Sequence, residues 1–324
     1  MKTKTGINGI RSAHFGLPDL DAAVRYYEDF GLSIVQRSDD VIYLRGTGPD
    51  YYVLALHRHF EPRMLAVDFS IETRAHADAL HSSLAQAGTA VSPLETFSDP
   101  GGGYGFSFRD PGEGRVFRVI SEPARHMDTE DMPDRPRKVA HVVLNTPDRD
   151  APFFVNQLGF KVIDRTKTIT FLNCNDDHHS LAFYVSVASS FNHLALEVPD
   201  IDSVMSATAN MVERGEEIGW GVGRHGPCDN VFCYFVGPGG FVVEYTTEVE
   251  QVDESYVVKG PEEWNFRPGR RDQWGLAFPT PRLRSAEARV AFSDAMFATS
   301  AGSNSIGGDA TETHVTMSTS DTGR

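Results

Sequence analysis

Cysteine is scarce. Cys174, Cys228 and Cys233 are the only three in 324 residues, an odd number with no CxxC spacing. A disulfide framework and a cysteine zinc site are both excluded, so stability has to come from a hydrophobic core. Basic residues are in deficit as well: 30 Lys and Arg face 45 Asp and Glu, a formal net charge of −15. That charge repels phosphate backbones and anionic membrane surfaces, and no nucleic-acid partner is expected. No apolar run approaches the ~18 residues that a membrane span needs. Met1 to Gly16 holds scattered Lys and Arg without a continuous apolar stretch, so a cytoplasmic protein with no membrane association is the expectation. With 40% hydrophobic and 23% charged residues the composition is globular, and the length points to two domains.

What is present in abundance is internal repetition. Arg11-Ser-Ala-His-Phe-Gly-Leu-Pro-Asp and Lys138-Val-Ala-His-Val-Val-Leu-Asn-Thr-Pro-Asp start alike, which sets His14 against His141. Each string is followed by apolar residues at helical spacing, namely Leu20, Ala23, Val24, Tyr27 and Phe30, then Phe153, Phe154 and Leu158. A glycine, Gly31 or Gly159, suits the helix end. Alternating runs predict strands over Ser33–Gln36, Val41–Arg45 and Tyr51–His57, and over Lys161–Ile163, Thr168–Asn173 and His178–Val185. The pattern then restarts at Met64 and at Phe191, with helices expected near Ala75–Ala87 and Ile201–Arg214. Both halves close with a Gly/Pro turn and a strand.

The expected fold is therefore α+β, two domains each of paired βαβββ modules, with curved mixed sheets that form a cup. Residues 1–122 make the first domain, 123–137 a polar linker and 138–250 the second domain. Residues 251–299, with Trp264, Trp274 and Phe278, form an extension expected to pack on the second domain; 300–324, rich in Ser, Thr and Gly, form a disordered tail.

Histidine carries the chemistry. Of twelve, His141, His178, His179, His193 and His225 crowd into 85 positions of the second half. His141, His193 and Glu244 fall on its first, a middle and its last strand. Alternate strand side chains share a face, so a curved sheet can aim all three inward as two imidazoles and a carboxylate, a metal-binding set that leaves opposite positions open. A lone strand histidine is more often a hydrogen-bonded core residue; two of them with a carboxylate inside the apolar run Phe241-Val-Val-Glu-Tyr reverse that preference. Aligning the halves puts His14 opposite His141, Val67 opposite His193, Arg118 opposite Glu244, Tyr52 opposite His179 and Phe108 opposite Tyr234. The first half then keeps one ligand of three, with an arginine where a carboxylate is needed, and is expected to bind no metal. His178, as the strand neighbour of His179, is expected to point away from the site. His57, His59, His76 and His81 read as surface residues, and Gly101-Gly-Gly-Tyr-Gly as a loop.

The strings Val139-Ala-His-Val-Val-Leu, Asp177-His-His-Ser-Leu-Ala-Phe, Asn192-His-Leu-Ala-Leu-Glu-Val, Gly223-Arg-His-Gly-Pro and Tyr234 through Gly240-Phe-Val-Val-Glu-Tyr resemble type I extradiol, ring-cleaving catechol dioxygenases of the vicinal oxygen chelate superfamily. The resemblance spans roughly Ile10–Val249. It implies Fe(II), or else Mn(II), on His141, His193 and Glu244, O2 as co-substrate, and a small aromatic diol as substrate. It also implies His179 as acid/base, with His225 and Tyr234 touching substrate and oxygen. After His225 this chain reads Gly-Pro-Cys228-Asp229-Asn230, where relatives acting on biphenyl diols have Asn-Asp. Cys228 and Asp229 are thus expected to tune substrate choice. A homo-oligomer is expected. Two other readings belong to the same superfamily, a glyoxalase-like isomerase or lyase and a non-catalytic binding module; further carboxylates at the metal would mark the isomerases and lyases.

Overall fold

The computed structural model describes residues 6–148, 151–264, 268 and 270–297; the tail expected over 300–324 lies outside them. The first half runs β1 (Ile7–Leu17), α1 (Leu20–Asp29), β2 (Ser33–Arg37), β3 (Val41–Arg45), β4 (Leu54–Arg58), β5 (Arg63–Ile71), α2 (Arg74–Gln86), β6 (Glu95–Thr96), β7 (Tyr104–Arg109) and β8 (Val116–Ser121). The second half repeats it as β9 (Lys138–Thr146), α3 (Pro152–Asn156), β10 (Lys161–Arg165), β11 (Ile169–Asn173), β12 (Leu181–Val185), β13 (Ser190–Glu197), α4 (Ile201–Glu213), β14 (Ile218–Arg224), β15 (Val231–Val236) and β16 (Val242–Thr247). A short α5 (Pro281–Ala286) follows. Among the described residues no helix is long and apolar enough to cross a membrane.

Each half is one eight-stranded mixed sheet, ordered β2-β3-β4-β1-β5-β8-β7-β6 and β10-β11-β12-β9-β13-β16-β15-β14. Within a module the first strand pairs in parallel with the last, and the two modules meet along an antiparallel seam, β1/β5 or β9/β13. This is the expected paired βαβββ arrangement, and it places the first and last strands of the modules at the centre of each sheet. The helices start where side chains can satisfy free backbone N–H groups: Asp19, Thr73 and Asp200 accept from Ala22, His76 and Ser203.

Three local expectations shift. The helix of the third module stops at Asn156, and buried Leu158 lies beyond it, ahead of Gly159 at φ +73°. β4 begins at Leu54 rather than Tyr51, and β12 at Leu181 rather than His178. His178 and His179 therefore sit in a turn before β12, where Asn175 accepts from the Asp177 N–H at 3.1 Å. The strand-alternation argument for turning His178 away from its neighbour does not apply there.

Strand register also corrects the alignment of the halves. Ser12 pairs with Asp68 where His141 pairs with Ala195, and His14 pairs with Ala66 where Val143 pairs with His193. Along β4 and β12, Ala13 meets Leu54 where Val142 meets Leu181. The counterpart of His141 is thus Ser12, not His14, and the counterpart of His193 is Ala66, not Val67. Arg118 does stand at the place of Glu244, since Asp68 pairs Arg118 where Ala195 pairs Glu244. Tyr234 answers to Ser107 rather than Phe108, each being opposite that same residue. Matching the histidines misplaces the first strand by two residues. Matching Pro18-Asp19 to Pro147-Asp148, the dipeptides that follow the two strands, places it correctly.

The halves share one core. α1 and the turn after it bring Phe30 onto Tyr245 of β16, with centroids 3.8 Å apart and planes 7° from parallel, and the Tyr245 hydroxyl donates to the Phe30 carbonyl at 3.1 Å. Phe15 of β1 stacks on Phe241 at 3.8 Å. In return Phe153 and Phe154 of α3 reach Phe108 and Phe117 of the first sheet at 5.8 and 5.3 Å. One contiguous apolar cluster contains all of these residues except Phe153, which packs against its edge. The segment after β16 touches both halves: Val290 bridges to Phe191 and Phe292 bridges to Met64. Leu283 packs under Phe232 and Tyr234, whereas Phe278 is 53% exposed.

Candidate metal centre and its surroundings

β9, β13 and β16 are neighbours in the second sheet, so His141, His193 and Glu244 arrive on one face from three adjacent strands. The Nε2 atoms of His141 and His193 are 3.4 Å apart, and each lies 3.3 Å from Glu244 Oε2. The three atoms form a nearly equilateral triangle. Glu244 has no exposed surface, and its Oε2 accepts no hydrogen bond. Its other oxygen is held by Asn230 Nδ2 at 3.2 Å, and Asn192 Oδ1 lies 2.7 Å from His193 Nδ1. A carbonyl oxygen can only accept, so the His193 proton sits on Nδ1 and Nε2 offers its lone pair to the triangle. An unsatisfied buried carboxylate oxygen facing two imidazole nitrogens fits a divalent cation, and the outer hydrogen bonds are of the kind that orient ligands.

The charges agree with that fit. Burial alone would push the Glu244 carboxyl up; His141 and His193 outweigh it and hold the group well below the usual carboxylate range. Burial lowers His141, which the Glu244 charge partly offsets. His179 is lowered well below an ordinary histidine by burial and then by His141, His178, His193 and His225. His225 is lowered to about 4, again chiefly by burial. Tyr234 is raised well above an ordinary phenol by burial and by Glu244.

The structure brings most of the expected residues together. The His179 ring stands 4.2 Å from that of His141, and Tyr234 lies edge-on to His193 at 5.1 Å. His225, just past β14, meets the Tyr234 hydroxyl through Nε2 at 2.9 Å and stacks on Phe232 at 3.9 Å. Cys228 is fully buried, and its sulfur lies within 4.8 Å of ring nitrogens of His178 and His179. The Asp229 side chain is 56% exposed and makes an ion pair with Arg224 and a hydrogen bond with Gln273. Asn192 and Asn230 were not singled out from sequence, nor was Asp164, which binds His178. Asn192 and Asp164 carry one signal, a polar side chain beside apolar residues in a strand, whereas Asn230 lies in the turn before β15 and carries none.

In the first half the same position is filled by an internal cation. Arg118 Nε lies 3.0 Å from Asp68 Oδ1, and the guanidinium also pairs with Asp99 at 2.5 Å. His14 Nε2 is 2.9 Å from Asp68 Oδ2, while its Nδ1 is 2.9 Å from His57 Nε2. His57, expected at the surface, is half-buried and lowered to about 3 by burial and then His14. With Ser12, Ala66 and Arg118 at the three ligand places, none of the set is kept there.

A family model described as the Glyoxalase/Bleomycin resistance protein/Dioxygenase superfamily matches residues 138–245. A crystal structure of the Mn(II)-bound glyoxalase from Novosphingobium aromaticivorans superposes with a TM-score of 0.80 at 33% identity, covering 91% of this chain and 98% of that one. The chain belongs to this superfamily and has the vicinal oxygen chelate fold. Metapyrocatechase 2 of Cupriavidus necator is 32% identical over 162 residues, 47% of this chain and 49% of that protein. The chain thus spans about half the length of that curated relative. The homoprotocatechuate 2,3-dioxygenase of Arthrobacter globiformis shares the fold, with a TM-score of 0.79 at 18% identity, over 90% of this chain and 95% of that one.

Proposed function

We propose that the protein is an extradiol dioxygenase that opens the ring of a catechol-type aromatic with O2, using Fe(II), or Mn(II), held by His141, His193 and Glu244. The observation that carries this reading is the triangle of Nε2, Nε2 and Oε2 atoms at 3.3–3.4 Å with three further proton-handling side chains, His179, His225 and Tyr234, grouped around it. The names of the curated relatives support it, Metapyrocatechase 2 among them. Bound there, a divalent ion would supply Lewis-acid chemistry for an ortho-diol and O2.

The chain's own residues do the rest. His179 is kept neutral by burial, so it can take a proton from a substrate hydroxyl and later return it to product. Tyr234 is held protonated and so acts as a hydrogen-bond donor, with His225 Nε2 fixing the hydroxyl from the other side. Trp220 lies parallel to Tyr234 at 5.5 Å and packs on Phe232 at 4.5 Å, an aromatic wall that suits a flat ring and excludes water.

The name of the Novosphingobium structure favours a glyoxalase-like reading instead. Against it stands the ligand group itself: among the described residues it contains one carboxylate, not two. The test is oxygen uptake by the iron-loaded protein over a panel of ortho-diols, with mono-hydroxylated rings as controls. The dioxygenase reading expects one O2 consumed per diol and a yellow ring-opened product. Uptake of no oxygen with any diol, together with isomerisation of a thiohemiacetal, would replace it.

A further inference from the structure

His178 is fully buried, and its two ring nitrogens are both engaged. Nε2 lies 3.1 Å from Asp164 Oδ2, and Nδ1 lies 3.3 Å from His179 Nδ1. Asp164, on β10, is itself fixed: its Oδ1 accepts the Lys259 N–H at 2.7 Å and its Oδ2 the Tyr256 hydroxyl at 3.1 Å. The Lys259 ammonium lies 5.1 Å over the Tyr256 ring. The chain Tyr256–Asp164–His178–His179 thus runs from the segment after β16 inward to the ring beside His141.

The proton positions along it follow from donor and acceptor capacity. An ionised carboxylate only accepts, so His178 carries its proton on Nε2. Its Nδ1 is then a lone pair, and the hydrogen between the two Nδ1 atoms belongs to His179. That leaves His179 with a bare Nε2. With one proton on each ring, the hydrogen bond runs from His179 to His178. We propose that His178, oriented by Asp164, is a positioning residue that fixes His179 in its Nδ1–H tautomer and so keeps His179 Nε2 free to take a proton. The proposal deepens the dioxygenase reading and rests on it for its catalytic consequence, but its tautomer statement is independent of any reaction.

The test uses the full chain labelled with 15N-histidine and loaded with diamagnetic Zn(II), in which long-range 15N–1H correlations report the tautomer of each ring. Wild type is expected to show His179 protonated on Nδ1. His178→Leu should lose that preference, and His178→Asn, whose amide oxygen can stand near the lost Nδ1, should restore it. In the iron-loaded enzyme kcat should fall on the order of 10-fold in His178→Leu, the scale that losing an outer partner of a working histidine costs, with KM for the diol and iron content unchanged. His178→Asn should recover most of it. His179 protonated on Nε2 in wild type, or His178→Leu with unaltered tautomer and kcat, would overturn the proposal. Failure of the dioxygenase reading would look different: no diol-dependent oxygen uptake even in wild type, with the tautomer pattern intact.

Discussion

Glu244 is a carboxylate with no exposed surface, and one of its oxygens is left without a hydrogen bond, an arrangement that only a cation or a proton makes stable. Glu244→Gln keeps the shape and removes the charge. Metal content measured by plasma spectrometry should drop from about one ion per chain to near zero, while Glu248→Gln, on an exposed partner of Arg224, should leave it unchanged. His179 is argued to work on the proton rather than on the ion. His179→Ala should therefore retain its metal and lose turnover by roughly 10²-fold or more, the contribution of a general acid–base group. Full activity in that variant would remove His179 from the mechanism.

At the scale of strands, the seam β5/β8 of the first half holds an ion cluster where β13/β16 holds the proposed metal site. Asp68 would be raised by burial, but Arg118, His14 and Ser12 outweigh that and keep it well below the carboxylate range. A carboxylate depressed on folding stabilises the fold above its unfolded value, near 3.9, and loses that contribution as pH falls through the lower folded value. Arg118→Met should destabilise by about 3–5 kcal/mol in urea at pH 7, because Asp68 stays buried without its main partner. It should also move the acid-unfolding midpoint to higher pH. Much of this was legible in the sequence: the βαβββ order, the three candidate ligands and Arg118 as the residue opposite Glu244 all follow from periodicity and repetition. The strand register was not, since His14 is a conspicuous match for His141 while the true guide is the dipeptide that directly follows each strand, Pro18-Asp19 against Pro147-Asp148. Nor was the Asp164–His178 contact, because sequence spacing does not show that a turn, not a strand, carries His178 and His179.

Across the whole molecule, the two sheets exchange aromatic side chains: Phe30 and Phe15 lie on the second half's Tyr245 and Phe241, and Phe154 lies on Phe117 of the first. A half alone would expose those rings, so the chain should unfold in one cooperative transition with coincident fluorescence and circular dichroism curves. A fragment of residues 138–297 should be less stable than the full chain and bind metal weakly, although it holds every proposed ligand. Two separate transitions would contradict the shared core.

The central claim is that this sheet-borne triangle of two imidazoles and a carboxylate cleaves aromatic diols, and the most direct measurement is 18O2 incorporation by the iron-loaded protein with an ortho-diol substrate, read by mass spectrometry of the product. The account predicts two labelled oxygen atoms in one ring-opened product and none from Glu244→Gln. An unlabelled product, or a labelled one formed equally well by Glu244→Gln, would contradict it.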